Sequence, residues 1–520
     1  MGEGLTRGPL PHLAYLLLTS LLMLGGLHGA TSMWVLLLLG CSFLVSRVAA
    51  GRAYGPLLLW SWHLGALVAV RGTQGFRGLH PGLTWMQQQG GPLRWHIHYN
   101  LLLLRMLSYG MDLHWAVRSA SAPAAAPDTP ATAAAAMPAS TPPAPSTAAA
   151  AAAAAAAAPH TPLRAPLVAS AAAPGSGGGV GGVRRRHPVP PPPGADPSAM
   201  ALQAKVRVEA PRPLGQYSLV LYCVYCLYPP LYIAGPIMTH NDFVAQLQGP
   251  GPSRPSWRQV LVYSLRWCGA LAALELLTRC LLVNAVAKYG LLTSRLDLLR
   301  GWLSGGVSPL HFALVGFWVL VFMWLKFLVI WRFFHCLALL EGVEPPENMG
   351  RCVCNNYDIE GFWRGWHCSY NRWLVRYLYI PLGGATRRLL VIWPVFLFVA
   401  LWHDLEPRLL HWGLLMPAAF CPELVVKAAA KLPLLARHRQ RWWYRQVAAL
   451  LASCNILALM TANLAGFVVG VEGVGPLVRQ VLGQPAMAGG VLGTLFCAVQ
   501  LMFAIRQRED AEKHGRVATA

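Results

Sequence analysis

The chain has 520 residues, 55% hydrophobic and 12% charged, with a formal net charge of +22. Soluble domains carry about a quarter charged residues, so this composition excludes an ordinary soluble protein and fits a polytopic membrane protein. The excess of Lys and Arg then reads as the positive-inside bias of cytoplasmic loops, and no nucleic-acid partner is expected.

Residues 13–27, 33–48 and 55–70 are apolar runs separated by short Gly, Ser and Arg breaks. Each is expected to be a membrane helix, the first retained rather than cleaved as a leader. Residues 100–117 read NLLLLRMLSYGMDLHWAV and hold Arg105 and Asp112. Charges at membrane depth are costly, so this segment is either an interfacial helix with an ion pair or a helix lining a site. Residues 1–118 thus form a first group of membrane helices.

Residues 119–213 differ in kind. They contain an alanine tract at 148–158, Pro–Ala repeats, a Gly run and three arginines at 184–186. So few large apolar residues cannot offset the ordering entropy, and a disordered insert without a chemical role is expected.

The membrane pattern resumes at 214 and continues to 505. Within 217–243, Pro229, Pro230 and Pro236 break any helix. Irregular backbone at membrane depth is tolerated where it lines a cavity, so this run is a candidate cavity wall. Residues 260–284 and 310–340 are further spans, the second long enough to be tilted or broken. Residues 389–403, 409–426, 446–471 and 490–505 complete the spans. The connection 472–488 reads as a loop, and the tail 506–520 as charged and solvated. Of the twelve cysteines, Cys352-x-Cys354 and Cys223-x-x-Cys226 are the closest pairs. Neither has a second pair at zinc spacing, so most read as small buried thiols and no metal site is expected.

The chemistry concentrates in 362–404. That stretch reads FWRGWHCSYNRWLVRYLYIPLGG, then a short basic turn, then an apolar run ending ALWHD. Trp366, Trp373 and Tyr377 share a helical face among Arg364, Arg372 and Arg376, which suits a helix lying at the interface. The basic loops 351–388 and 427–445 and the basic tail prefer the cytoplasm. That places His367 toward the cytoplasmic side and His403 deeper, with a channel joining them. A histidine titrates near pH 6.5 and can take a hydroxyl proton during attack on a thioester. His403 suits that role. His367, or backbone N–H groups near it, would face the oxyanion. The arginines would grip the phosphates of a nucleotide-bearing thioester. Plainer readings stand beside these: the positive-inside bias alone places the arginines, and structural histidines at helix ends are common. A two-histidine metal site lacks further ligands at useful spacing.

These motifs resemble the membrane-bound O-acyltransferase (MBOAT) superfamily, and within it the Gup (glycerol uptake protein) branch, related to Hedgehog acyltransferase. The stretches that carry the resemblance are LRMLSYGMDLHW (104–115), YPPLYIAGPIMTHNDF (228–243), WRFFHCLALLEGVEPPENMGRC (331–352), 362–384 and FVALWHDLEPRLLHW (398–412). The resemblance implies an all-α polytopic membrane protein, a helical bundle with re-entrant or short helices around a central tunnel. It implies acyl-CoA as co-substrate, no further cofactor, and a hydroxyl or N-terminal amine as acceptor. The family's invariant histidine matches His403 and its more variable second position matches His367. That second position is Asp in Hedgehog-type enzymes, so His367 favours O-acylation. Arg364, Trp366, Asn371, Arg372, Trp373 and Arg376 become the candidate acyl-CoA contacts. The Gup branch implies re-acylation of a lyso-GPI (glycosylphosphatidylinositol) lipid in the endoplasmic reticulum membrane. The alternatives are glycerol or polyol uptake, or non-catalytic regulation of protein palmitoylation.

Overall fold

The computed structural model describes residues 9–76, 80–121, 197–248, 255–281 and 309–518. Regular structure among them is helical, with an isolated antiparallel bridge between Gly29 and Gly90. Eight of the described helices are long and apolar enough to cross a membrane. This is an all-α polytopic membrane protein.

The first three apolar runs form α1 (Pro9–His28), α2 (Ser32–Ala49) and α3 (Gly55–Gly72). A short helix α4 (Thr84–Gln88) precedes α5 (Trp95–Ser121). Helix α5 is buried almost all round from Tyr99 to His114, the pattern of a helix at the centre of a bundle. It packs against α2 and α3 on one side.

Arg105 and Asp112 do not pair with each other. Next among the described residues come α6 (Pro197–Glu209), α7 (Leu219–Leu227) and α8 (Pro229–Ala234). Pro229 and Pro230 stop α7 and strand its last carbonyls. Arg105 Nη1 donates to Cys226 O at 3.0 Å, and Nη2 donates to Leu231 O. Buried backbone polar groups need partners, and a buried guanidinium supplies them across the proline break. Asp112 instead accepts from Arg376 Nη2 at 2.9 Å and Tyr377 OH at 3.0 Å. The backbone N–H of Asn241, in α9 (His240–Gln248), donates to its other oxygen at 3.3 Å.

Helix α6 lies inside the stretch expected to be disordered, and Arg207 ties it to Asp242 of α9 at 2.9 Å. The low-complexity part of that stretch, 122–196, lies outside the described residues. Helix α10 (Trp257–Leu281) packs along α11 (Pro309–Leu340). Helix α11 is one continuous element without a break. Its 32 residues make about 48 Å, longer than a hydrocarbon core of about 30 Å.

Residues 362–379 do not form one interfacial helix. They fold as α12 (Ile359–Gly365), α13 (Cys368–Leu374) and a π turn (Val375–Tyr379). Trp373 and Tyr377 are 1% and 0% exposed, so the face they share is turned into the protein, not toward the interface. The unit starts and ends on one side of the molecule, because Glu360 at its start pairs with Arg388 at the start of the next helix. It is therefore re-entrant. Helices α14 (Arg388–His403) and α15 (Pro407–Ala429) form a tight pair. After the short α16 (Pro433–Ala436) comes α17 (Trp442–Phe467).

The connection expected to be a loop is α18 (Gly470–Leu482). Gly473, Leu477 and Val481, spaced by four, form its buried stripe. Pro476 and three glycines mask that periodicity in the sequence. Helix α19 (Pro485–Ala518) runs through the supposed tail. The tail is not simply solvated: both Arg351 Nη atoms bond Glu509 at 3.0 Å, and Arg506 donates to Asn355 O at 2.8 Å. The cysteines are not mostly buried thiols: Cys226, Cys336 and Cys368 are buried, whereas six of the twelve, Cys352 and Cys354 among them, are exposed.

Removing one partner of a buried ion pair costs about 3–5 kcal/mol, because the other charge stays buried and alone. Arg376→Met is accordingly expected to lower the thermal midpoint of the detergent-solubilised protein sharply. Adding Asp112→Leu should restore most of the loss. A single variant that melts like the wild type would contradict this.

Candidate active site

His403 ends α14, and His367 sits in the break between α12 and α13. Their ring centroids are 6.3 Å apart. The expected channel joining two separated histidines is thus not needed, because the re-entrant unit carries His367 down to the level of His403. Over its 16 residues α14 covers about 24 Å from Arg388, so both rings lie far from that end of the helix; His367 is buried and His403 half-buried.

His367 has φ +47°, in the left-handed region that a side chain rarely adopts. The strain persists because its surroundings over-determine it. Cys368 N donates to Asn348 O at 2.8 Å, and Ser369 Oγ donates to Asn348 Oδ1 at 2.5 Å. Ser369 Oγ in turn accepts from Ile237 N at 3.0 Å, and Gly350 N donates to Gly365 O at 2.9 Å. The loop after α11 therefore grips both sides of the break. The His367 ring packs on Trp331 at 4.0 Å and meets Trp366 at 5.6 Å.

Aromatic rings enclose His403: Trp402 at 4.9 Å, Phe467 at 5.6 Å and Trp412 at 6.4 Å between centroids. Both histidines open into one cavity of about 970 Å³. Its wall is mostly Leu, Val, Phe and Met from α11, α14, α17, α18 and α19, which keeps water away from the rings.

The cavity reaches a polar mouth at Asn356, Glu360, Arg364 and Arg388. Asp358 caps α12 through Gly361 N at 3.0 Å, and Glu423 takes Ile359 N at 2.6 Å. Lys427 Nζ sits among Asp358 at 2.5 Å, Glu423 at 2.7 Å and Glu360 at 3.0 Å. Glu360 also binds Arg364, and Arg388 at 3.0 Å. Burial pushes its carboxyl up, but Lys427, Arg388 and Arg364 outweigh that and hold it down at about 2.

Of the six candidate donor contacts, Arg364, Trp366 and Asn371 line the cavity. Arg372 is exposed and is not part of that lining. Trp373 is buried, its indole N–H on Leu104 O at 3.0 Å, and Arg376 is held by Asp112. The sequence reading missed Arg388 and Glu360 at the mouth. Their signal was the short basic turn at 385–388 facing the acidic pair 358 and 360. Among the described residues no cluster of three metal-ligating side chains occurs.

A family model described as MBOAT, membrane-bound O-acyltransferase family, matches residues 81–463. The chain belongs to that family. This MBOAT protein is an acyltransferase by that membership. It is 30% identical over 504 residues to membrane-bound O-acyltransferase gup1 of Schizosaccharomyces pombe, covering 96% of this chain and 73% of that one. It is 39% identical over 321 residues to GUP1 of Saccharomyces cerevisiae, covering 61% of this chain and 54% of the relative. To protein-cysteine N-palmitoyltransferase HHAT of Mus musculus it is 28% identical over 319 residues, 59% of each chain.

Two outcomes follow. A Cβ on Gly466 would lie 2.5 Å from Trp412 Cδ1, so Gly466→Ala must displace Trp412, whose ring stands 6.4 Å from that of His403. Turnover should fall at least about tenfold with the protein still folded, since small displacements at a reacting centre are expensive. Glu360 ionises more easily folded than unfolded, so its contribution is present above pH 4.5 and is lost as pH falls toward about 2. A Glu360→Gln variant should therefore show a flatter loss of thermal stability between pH 4.5 and 2.5 than the wild type.

Proposed function

We propose that this MBOAT acyltransferase moves a long-chain acyl group from acyl-CoA to a hydroxyl of a lipid acceptor, with His403 as the base. The observation that carries this reading is two histidines 6.3 Å apart, opening together into one apolar cavity. The acceptor hydroxyl gives its proton to His403 as its oxygen attacks the thioester carbonyl carbon. The carbonyl oxygen becomes an oxyanion, and an N–H of His367 faces it. The tetrahedral intermediate collapses, the C–S bond breaks, and the CoA thiolate takes the proton back from His403. No cofactor beyond the co-substrate takes part.

The donor phosphates belong at the mouth where Arg364 and Arg388 stand, and its acyl chain along the apolar wall. The basic loops around that mouth favour the cytosolic side, where acyl-CoA is found. An apolar wall suits an acceptor that itself carries a hydrocarbon chain and gives a polyol few partners. Among lipid acceptors we favour a lyso-GPI at the endoplasmic reticulum membrane. Support comes from the similarity to Gup-type O-acyltransferases over 96% of this chain and from a histidine at position 367.

The test is acyl transfer in purified membranes, with labelled palmitoyl-CoA and lyso-GPI, lysophospholipid and glycerol as parallel acceptors. Wild type should label lyso-GPI, and His403→Ala should lose at least about a hundredfold of that turnover, the usual range for removing a general base. Product on another acceptor that also needs His403 would move the acceptor but keep the base. Product that survives His403→Ala would sink the mechanism.

A further inference from the structure

The last carbonyls of a helix have no partner within it. At the end of α14 they are taken by side chains from the other end of the chain. Asn100 Nδ2, from α5, donates to Trp402 O, and Trp402 Nε1 donates back to Asn100 O at 2.8 Å. Arg71, in the last turn of α3, donates through Nη2 to His403 O at 3.2 Å. Its Nε holds Asn100 Oδ1 at 3.2 Å, and Nη1 lies 3.7 Å from Asp404 Oδ1. Asn100 is 6% exposed and the Arg71 side chain 9%. The two residues therefore form one buried unit on the backbone carbonyls of Trp402 and His403, with the Asp404 carboxylate beside it.

We propose that Arg71 and Asn100 are positioning residues for His403. This rests on His403 being the base. Helix α14 does not need the unit in order to form. It is an apolar span that packs along α15, and Asp404 N already closes its last turn on Ala400 O at 3.2 Å. The added bonds act on the two residues that bracket the imidazole. Without them the last turn can fray, and the height and direction of the ring relative to His367 vary. The guanidinium also sits at the negative end of the helix dipole, which favours an ordered last turn. Neither side chain is part of the cavity wall, so neither is expected to touch donor or acceptor.

The experiment uses the full-length protein in detergent, with palmitoyl-CoA and the lysolipid that wild type acylates. Variants are Asn100→Ala, Arg71→Ala, their double, Arg71→Lys, Asn100→Asp and His403→Ala. Asn100→Ala and Arg71→Ala should each lower kcat roughly 10–100-fold, the scale of a small misplacement, while KM for palmitoyl-CoA stays within about twofold. The double should be no slower than the slower single, because the two side chains work as a unit. Arg71→Lys, which keeps the charge at the helix end, should recover part of kcat. Should an alanine variant not accumulate, Asn100→Asp decides the matter. It keeps the acceptor for Arg71 but loses the donor to Trp402, and the same fall in kcat at constant KM is expected. Unchanged kcat in these variants while His403→Ala is inactive overturns the proposal. So does a rise in KM with kcat retained. Full turnover by His403→Ala is a separate result: it removes the base assignment on which the proposal stands.

Discussion

The carboxylate of Asp112 is the point on which the interior of this protein depends. It is 1% exposed at the centre of α5, and an isolated carboxylate there would be very costly. Arg376, Tyr377 and the N–H of Asn241 meet it, and Ser108 extends the network to Tyr377 and to the N–H of His240. A buried ion pair of this kind adds little net stability by itself, since desolvation offsets much of the attraction. It adds definition. Satisfying Asp112 fixes the π turn, α9 and α5 relative to one another, and the π turn continues from the segment that bears His367.

From that anchor the geometry of the site follows in steps. The π turn holds the rear of α13, and Asn348 holds its front through Cys368 and Ser369. Between them the backbone must turn sharply, and it does so at His367 in a conformation that glycine would take more easily. A glycine would relieve the strain and lose the imidazole. The site thus stores local strain in return for a ring aimed at His403, and the surrounding hydrogen bonds keep it there.

Much of this is legible in the sequence. The apolar runs give α1, α2 and α3 to within four residues at either end, since hydrocarbon burial leaves a strong compositional trace. Pro229 marks the break between α7 and α8. His367 and His403 stand out because a titratable ring in an apolar or aromatic setting is unusual. What the sequence hides is depth and pairing. Arginines at 364, 372 and 376 look alike in a string, yet the first reaches the cavity, the second is exposed and the third neutralises a carboxylate 264 residues away. The 6.3 Å between the histidines depends on a re-entrant turn, and one positive φ has no signature in composition. Helix α18 escapes notice because its glycines and Pro476 look like loop chemistry, while the stripe that buries it needs the partner helices to be seen.

The long separation between Asp112 and its partner has a consequence for biosynthesis. Chains grow at about 5–20 residues per second, so roughly 13–50 s pass between the making of Asp112 and that of Arg376. For that interval α5 holds a carboxylate whose counter-ion does not yet exist, and an arginine whose carbonyl partners arrive only with residues 226–231. A segment so charged is a poor candidate for early release into lipid. Its buried charges therefore find their native partners only after the residues that follow it, out to Arg376, have been made.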